Sequence, residues 1–360
     1  MAHFEIHPVV HSALPDVASF LHQRITGKSK GAPVQLERRL RWLLVDNPAA
    51  TEDTPLGYCL RDDFGAIRGL NLIFPANFLA GGRQLRGLGT GSFFVDAAAK
   101  SMGFFLFKKF LNIPGFAFHF ASTCNLDSSE LWKSVGGCPV PHSDTDYVLP
   151  LKMDVMMPAF IASKTNSGAA AELARIFGRA TDPILRFLTR PTAGLSIEPC
   201  EDWEKLAELA RRNRSDKVTT TDRSAAFLKW RYGPASPFYP CQVQLVRDQQ
   251  GNEGWFALIE LTNGKQGAFR ESSLVEAVWP VDKMNFKDFL GEVLKQAALM
   301  SDAVFIRPRP GLDLREYSRW VIPRKLPAPR AFVKTPRGAA HFPLDLFDYD
   351  DSDYIAWRFQ

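Results

Sequence analysis

The chain has 360 residues, 46% of them hydrophobic and 23% charged, with a net charge of +5 and an isoelectric point near 8.9. That length exceeds what one hydrophobic core ordinarily organises, so two domains are expected, and the composition is that of a folded globular protein. The mild positive balance suits an anionic small ligand such as a nucleotide cofactor and falls short of the dense basic face of a nucleic-acid binder.

Taken in order, Phe4–Val10 reads as an opening strand and Leu14–Gln23 as a helix. A second helix ends at the Leu40–Trp42 "LRW". Strands "GYCLRD" and "RGLNLIF" flank a turn at Phe64-Gly65. A third strand leads to Val95-Asp96, then come a helix, the buried strand "GFAFHFAST", another helix and the strand "DTDYV" at Asp144–Val148. The greasiest stretch, Phe104 to Ala121, is interrupted by Lys108, Lys109 and Pro114 and is no membrane span. The first residues lack the basic and apolar regions of a signal peptide. Five scattered cysteines (Cys59, Cys124, Cys138, Cys200, Cys241) without a C-x-x-C read as free thiols, so a cytoplasmic location is expected.

Residues 151–194 read as a helical linker. Ser167 is a plausible cap for a helix toward Arg179, and Pro183 is placed to open another. Its arginines (Arg175, Arg179, Arg186, Arg190) read as a solvated face, with contact to a membrane surface as the alternative.

Residues 195–360 then repeat residues 1–150. Leu228–Trp230 "LKW" answers Leu40–Trp42, Val281-Asp282 answers Val95-Asp96, and Asp351–Ile355 "DSDYI" answers Asp144–Val148. One ungapped offset of 186 aligns Leu60–Pro141 with Val246–Pro327 at 17 identities in 82 positions, Arg61-Asp62 meeting Arg247-Asp248 and Leu126-Asp127 meeting Leu312-Asp313. Two copies of one fold follow. Strands alternating with helices, plus hairpins, give an α/β class with mixed sheets.

Within "NLDSSELWKSVGG", Asn125, Ser128, Leu131, Trp132 and Gly136 have the spacing of a capped helix with a buried face and a glycine stop. This pattern and the element order resemble the GNAT superfamily of acyl-CoA N-acyltransferases. The opening "LRWLLVDNPA" followed by a Gly-centred hairpin is similar to the tandem GNAT proteins found with bacterial exopolysaccharide genes. The resemblance implies two tandem GNAT-like domains. It also implies acetyl-CoA or another acyl-CoA as co-substrate, no metal, and a small-molecule or saccharide acceptor such as an amino sugar. It places the pyrophosphate loop at Lys100, Ser101, Met102, Gly103, Phe104 and Phe105. There a lysine stands for the usual arginine and Phe105 for a small residue. Phe94 and Val95 would offer strand amides to the thioester, with Asn125, Ser128 and Trp132 beside the cofactor. Trp132 takes the place of the family's acidic tyrosine. In the second copy Phe289 stands opposite Gly103 and Gly311 opposite Asn125, so no CoA is expected there.

No clean general base is legible. His119 and Glu276 are the candidates; a lone histidine on an apolar strand is more often a core residue. Asp96 and Asp282 read as helix N-terminal acids, Trp42 and Trp230 as packing residues. The carboxylate pairs Asp144/Asp146 and Asp351/Asp353 read as solvated or capping faces rather than metal ligands. Besides the acyltransferase, two readings stay open: a non-catalytic GNAT-like binding or scaffold protein, and a Fem-type transferase drawing on a charged tRNA, which the modest charge disfavours.

Overall fold

In a computed structural model the described residues are 3–27, 34–165, 167–188, 194–215, 217–237, 240–261, 269–307, 314, 321–336 and 347. In the first half, β1 (Phe4–Pro8), α1 (Leu14–Thr26) and α2 (Val34–Leu44) lead into β2 (Gly57–Asp62), β3 (Ile67–Ala80) and β4 (Arg83–Val95). Then come α3 (Gly103–Leu111), β5 (Phe118–Ala121), α4 (Leu126–Ser134), β6 (Cys138–Pro139) and β7 (Thr145–Pro150). Two helices follow, α5 (Met153–Lys164) and α6 (Gly168–Leu188). Pro183 lies inside α6 rather than opening a new helix, and α5 precedes Ser167 within the same 151–194 segment.

The second half runs β8 (Ser196–Pro199), α7 (Trp203–Asn213), β9 (Thr220–Thr221), α8 (Ala225–Tyr232), β10 (Gln242–Arg247), β11 (Glu253–Leu261) and β12 (Glu271–Val278). It ends with α9 (Phe286–Met300), β13 (Ala303–Ile306), β14 (Ile322–Lys325) and β15 (Phe332–Lys334). The 186-residue offset carries the start of β3 onto the start of β11 and α3 into α9.

The repeat is visible down to single hydrogen bonds. The Asp62 carboxylate accepts the amides of Phe64 (3.0 Å) and Ala66 (2.9 Å), closing the β2–β3 turn. Asp248 does the same for Gln250 and Asn252, both at 2.8 Å, between β10 and β11. Both turns need a left-handed residue and use glycine, Gly65 at φ 77° and Gly251 at φ 81°. Those hydrogen bonds explain why Arg-Asp…Gly recurs.

The strands form two mixed sheets, ordered β1-β2-β3-β4-β5-β15-β6 and β14-β7-β13-β12-β11-β10-β8, with β9 pairing β3 outside the first path. Read from β8, the second sheet has the same plan as the first, and each takes its penultimate strand from the other half. β7, which the sequence reading put in the first copy, pairs antiparallel with β13 of the second; β15 pairs antiparallel with β5 of the first. A cut at residue 150 therefore separates each of these strands from its sheet. The strand matching Asp144–Val148 by position in its sheet is Phe332–Lys334; Asp351–Ile355, Leu312-Asp313 and Gly311 lie outside the described residues.

The exchange is held by a buried crossing. Asp146, fully buried on β7, receives Nη2 of Arg330, which precedes β15. Around that pair, Arg330 N donates to Ser143 O (3.2 Å), Cys124 N to Arg330 O (2.8 Å) and Val140 N to Ala331 O (2.9 Å). Asp146 is thus a buried ion-pair partner, not a solvated carboxylate. Asp144, nearer the surface, meets Lys325 Nζ at 3.2 Å.

One core lies between the sheets, built from their facing sides and from α1, α2, α7 and α8, with Trp42 and Trp230 in it. β3 reads as a nearly unbroken buried run from Gly69 to Pro75 because it is covered on both faces. On the far face of the first sheet α3 and α4 pack over Ile73, Leu88 and Ala121. On the far face of the second sheet α9 packs over Leu258, Leu274 and Val304.

Candidate active site

β4 and β5 run parallel and paired only over Gly87–Gly89 and Phe118–Phe120. β5 ends at Ala121, whereas β4 continues to Val95. A bulge turns β4 there: Leu70 and Leu72 on β3 pair with Phe94 and Gly91, so β4 carries one extra residue, and Ser92 sits at φ 53°. The strands therefore part like an opened seam.

A cavity of about 250 Å³ fills the parting. Thr90–Phe94 form one wall and Ala121 and Thr123–Asn125 the other, with Phe107 of α3 and Trp132 of α4 above. The α4 end is rigid. Asn125 Oδ1 accepts Ser128 N (2.9 Å) while Ser128 Oγ accepts Asn125 N (2.8 Å), a reciprocal cap, and Gly136 at φ 79° ends the helix as its spacing implied. Trp132 is buried edge-on to Phe107 (5.2 Å) and stacked on Phe332 (6.2 Å). Phe332 belongs to the exchanged strand β15, so the second half of the chain completes the packing behind this wall.

The floor is polar. The Thr90 hydroxyl bonds Asn71 Oδ1 and lies 3.1 Å from the Leu72 carbonyl. Asn71 Nδ2 and Ser92 Oγ are buried with no hydrogen-bond partner among the described residues. Buried polar atoms of that kind are rare unless something else satisfies them. Sequence reasoning missed Thr90, Ser92 and Cys124. The available signal was the "GLGTGS" run within β4, since glycine inside a strand marks close approach. A Cβ on Gly87 would lie 2.7 Å from the Phe118 ring, and one on Gly89 2.5 Å from the Phe74 ring.

Of the expected cofactor residues, Phe94, Asn125, Ser128 and Trp132 line this cavity, while Val95 and Lys100–Phe105 do not. The expected phosphate loop is wound up: Ala97–Met102 form a 3₁₀ helix that runs straight into α3. Ala99 N donates to Asp96 O and Gly103 N to Lys100 O (Ala99 at 2.9 Å), which spends amides a phosphate would need. Lys100, Ser101, Phe104 and Phe105 are exposed, Met102 is half-buried and Gly103 is buried against Val95 and Phe93. Phe105, 56% exposed, neither fills the cavity nor enters the core. Asp96 does not cap the helix but pairs with Arg24 and Arg68. Asp282 is exposed, and Asn285 caps α9 instead.

His119 lies on β5 beneath Phe110, its ring edge-on at 5.0 Å, and does not line the cavity. Burial holds its pKa down at about 4, so it is neutral at ordinary pH. Glu276 lies on β12 opposite Ala257, whereas the ladder position of Thr90 is held in the second copy by Ser273. Glu276 is buried and accepts Arg223 Nε at 2.8 Å. Neither group stands at the cavity, and its lining contains no Asp, Glu or His among the described residues. No group of three potential metal ligands occurs among them either. In the second copy Trp279, Phe286 and Phe289 cluster where β12 leads into α9, with ring centroids 4.4 to 6.2 Å apart.

No family model matches the sequence, and no curated protein matches it. Solved structures do resemble the fold. A probable N-acyltransferase of unknown function from Enterococcus faecalis V583 superposes with a TM-score of 0.55 at 11% identity, over 93% of this chain and 73% of its own. A GCN5-related N-acetyltransferase from Anabaena variabilis gives 0.57 at 10% identity over 92% and 73%. Saccharomyces cerevisiae N-myristoyltransferase with bound myristoyl-CoA gives 0.56 at 15% identity over 92% and 77%. At such identities the likeness is one of fold: the chain has the GNAT architecture in two tandem mixed-sheet units.

Proposed function

We propose that the chain is an acyl-CoA-dependent N-acyltransferase that binds the thioester end of its co-substrate in the β4–β5 parting of the first unit. The parting itself, bulged at Ser92 and opened onto a polar-floored cavity, is the observation that carries this reading. The GNAT-like neighbours, one of them holding myristoyl-CoA, support it. The cavity suits the group in two ways. Its walls of Phe93, Phe107 and Trp132 take an apolar arm, and Ser92 Oγ is a buried donor without a partner among the described residues, with Asn71 behind Thr90.

In the transfer an amine nitrogen attacks the thioester carbonyl, the C–N bond forms, the C–S bond breaks, the thiolate leaves and the proton shed by the nitrogen passes to that thiolate or to solvent. This chain's part is to orient the carbonyl against the bulged strand, keep water from it and present donors where negative charge develops. Trp132 supplies no acid, but a thiol of pKa about 8.5 leaves tolerably as the thiolate. With no carboxylate or imidazole at the cavity wall among the described residues, an amine arriving unprotonated is what the site accepts. The acceptor we propose is of the amino-sugar class, which rests on the resemblance to tandem proteins of exopolysaccharide clusters.

A second reading, a GNAT-fold protein that binds without turnover, is favoured by one observation: the wound-up 3₁₀ segment at Ala97–Met102. Calorimetric titration with acetyl-CoA and longer acyl-CoAs separates the two, beside a Ser92→Trp variant that fills the cavity. One-site binding lost in the variant, followed by thiol release with an amine acceptor, supports the transferase. Binding without release supports the second reading. A folded protein that binds no CoA ends both as stated.

A further inference from the structure

The paired helices α5 and α6 form an arm that packs chiefly on itself. Ala174 and Gly178, one turn apart, are buried at their contact. A Cβ on Gly178 would sit 2.5 Å from both Asp154 Cα and the Met153 carbonyl, so the helices approach there and the rotation of α6 is fixed. Met153 N donates to Asp182 Oδ1 at 2.6 Å, tying the far part of α6 to the start of α5. With that rotation Leu173, Ile176 and Phe177, spaced i, i+3 and i+4, form an outward stripe, each more than half exposed, and Phe160 on α5 is more exposed still. Scattered apolar residues on a surface need no explanation, but a stripe of this kind marks a binding face.

The charge beside the stripe identifies what covers it. Arg175 and Arg179 are exposed one turn apart on α6, and the one exposed acid there, Glu172, is bonded to Arg175 at 2.7 Å. Residues 151–194 hold six Lys or Arg against three acids, a net +3 out of the chain's +5. Two copies meeting through this face would set arginines against arginines, whereas an anionic headgroup layer complements them. No helix among the described residues is long and apolar enough to cross a membrane, so the arm lies on a surface and does not span it.

We propose that the α5–α6 arm docks this protein on an anionic lipid bilayer, with Leu173, Ile176 and Phe177 entering the acyl boundary and Arg175 and Arg179 on the headgroups. The linker arginines are thus a binding feature and not merely a solvated face. The inference is independent of the acyltransferase reading and its test needs no activity.

The test is vesicle sedimentation of the full chain with phosphatidylcholine alone and with added phosphatidylglycerol, at low and raised salt, with light scattering of the free protein. The wild type is expected to sediment with the anionic vesicles and to be released by salt. An Arg175→Glu, Arg179→Glu double variant and an Ile176→Ser, Phe177→Ser double variant are each expected to partition at least tenfold less, with unchanged thermal melts. Failure of the folded wild type to sediment overturns the proposal, as does equal binding by both variants. A dimer that the Ile176→Ser, Phe177→Ser variant converts to monomer also overturns it, since the face then belongs to a second copy.

Discussion

Trp42 and Trp230 occupy matching places in the two halves, and their indoles stack 4.3 Å apart and 9° from parallel. Each Nε1 donates to the other residue's carbonyl, at 2.8 and 2.9 Å. Such reciprocity is what a twofold relation between repeats produces, and it joins α2 to α8 at the centre of the shared core.

Replacing either tryptophan with phenylalanine keeps most of the ring but leaves a buried carbonyl without its donor. Trp42→Phe and Trp230→Phe are each expected to lower stability by about 1–3 kcal/mol. Their combination should be non-additive, because the two residues touch. Chemical denaturation measures both, and strict additivity would show that the stack does not couple the halves.

The crossing at Asp146 and Arg330 gives a larger expectation. Removing one partner strands a buried charge, so Asp146→Ala or Arg330→Ala is expected to cost about 3–5 kcal/mol. A loss under 1 kcal/mol in a melt of either variant would mean that the charges are hydrated and the crossing is loose.

His119 predicts an acid limb. Its folded pKa of about 4 lies below the 6.5 of a free imidazole, so the unfolded chain binds the proton more tightly. Its contribution is intact above pH 6.5 and is lost progressively as the pH falls from there toward 4, amounting to about 3 kcal/mol at 1.36 kcal/mol per unit. His119→Gln is expected to flatten that limb of the stability curve. An unchanged slope in denaturation at successive pH values would assign the limb to other groups.

Gly137 sits under the cavity wall. A Cβ there would lie 2.7 Å from Trp132 Cε3 and 2.9 Å from its carbonyl. Gly137→Ala is therefore expected to cost about 1–3 kcal/mol through displacement of Trp132 and to weaken acyl-CoA binding where Gly115→Ala, in open space at a left-handed position, costs stability alone. Equal binding by the two variants would detach Trp132 from the ligand site.

Much of this fold was legible because its signals are local. Asp62 and Asp248 announce their turns, Asn125, Ser128 and Gly136 announce α4, and the 186-residue offset reflects real strand-for-strand correspondence. The exchange of β7 and β15 was not legible, because alternation says that a segment is a strand but not which edge it joins. The site was legible only in part for a similar reason. Asn125, Ser128 and Trp132 lie on a helix whose pattern is visible, whereas Ser92 gains its role from a bulge created by pairing with β3. The Ala97–Met102 segment reads as a loop from its small residues, yet those same residues allow a tight helical turn to close.

The strand exchange also orders events in time. β5 acquires its neighbour β15 only when residue 334 has been made, 184 residues after β7 ends at Pro150. At about 5–20 residues per second that is on the order of ten to forty seconds of synthesis. Throughout that interval the nascent first unit carries an open edge at β5, and β7 waits beside it for a sheet not yet translated. A chain wired in this way cannot be cut at residue 150 without leaving each sheet short of a strand, and its ribosome-bound intermediate is where a chaperone has most to guard.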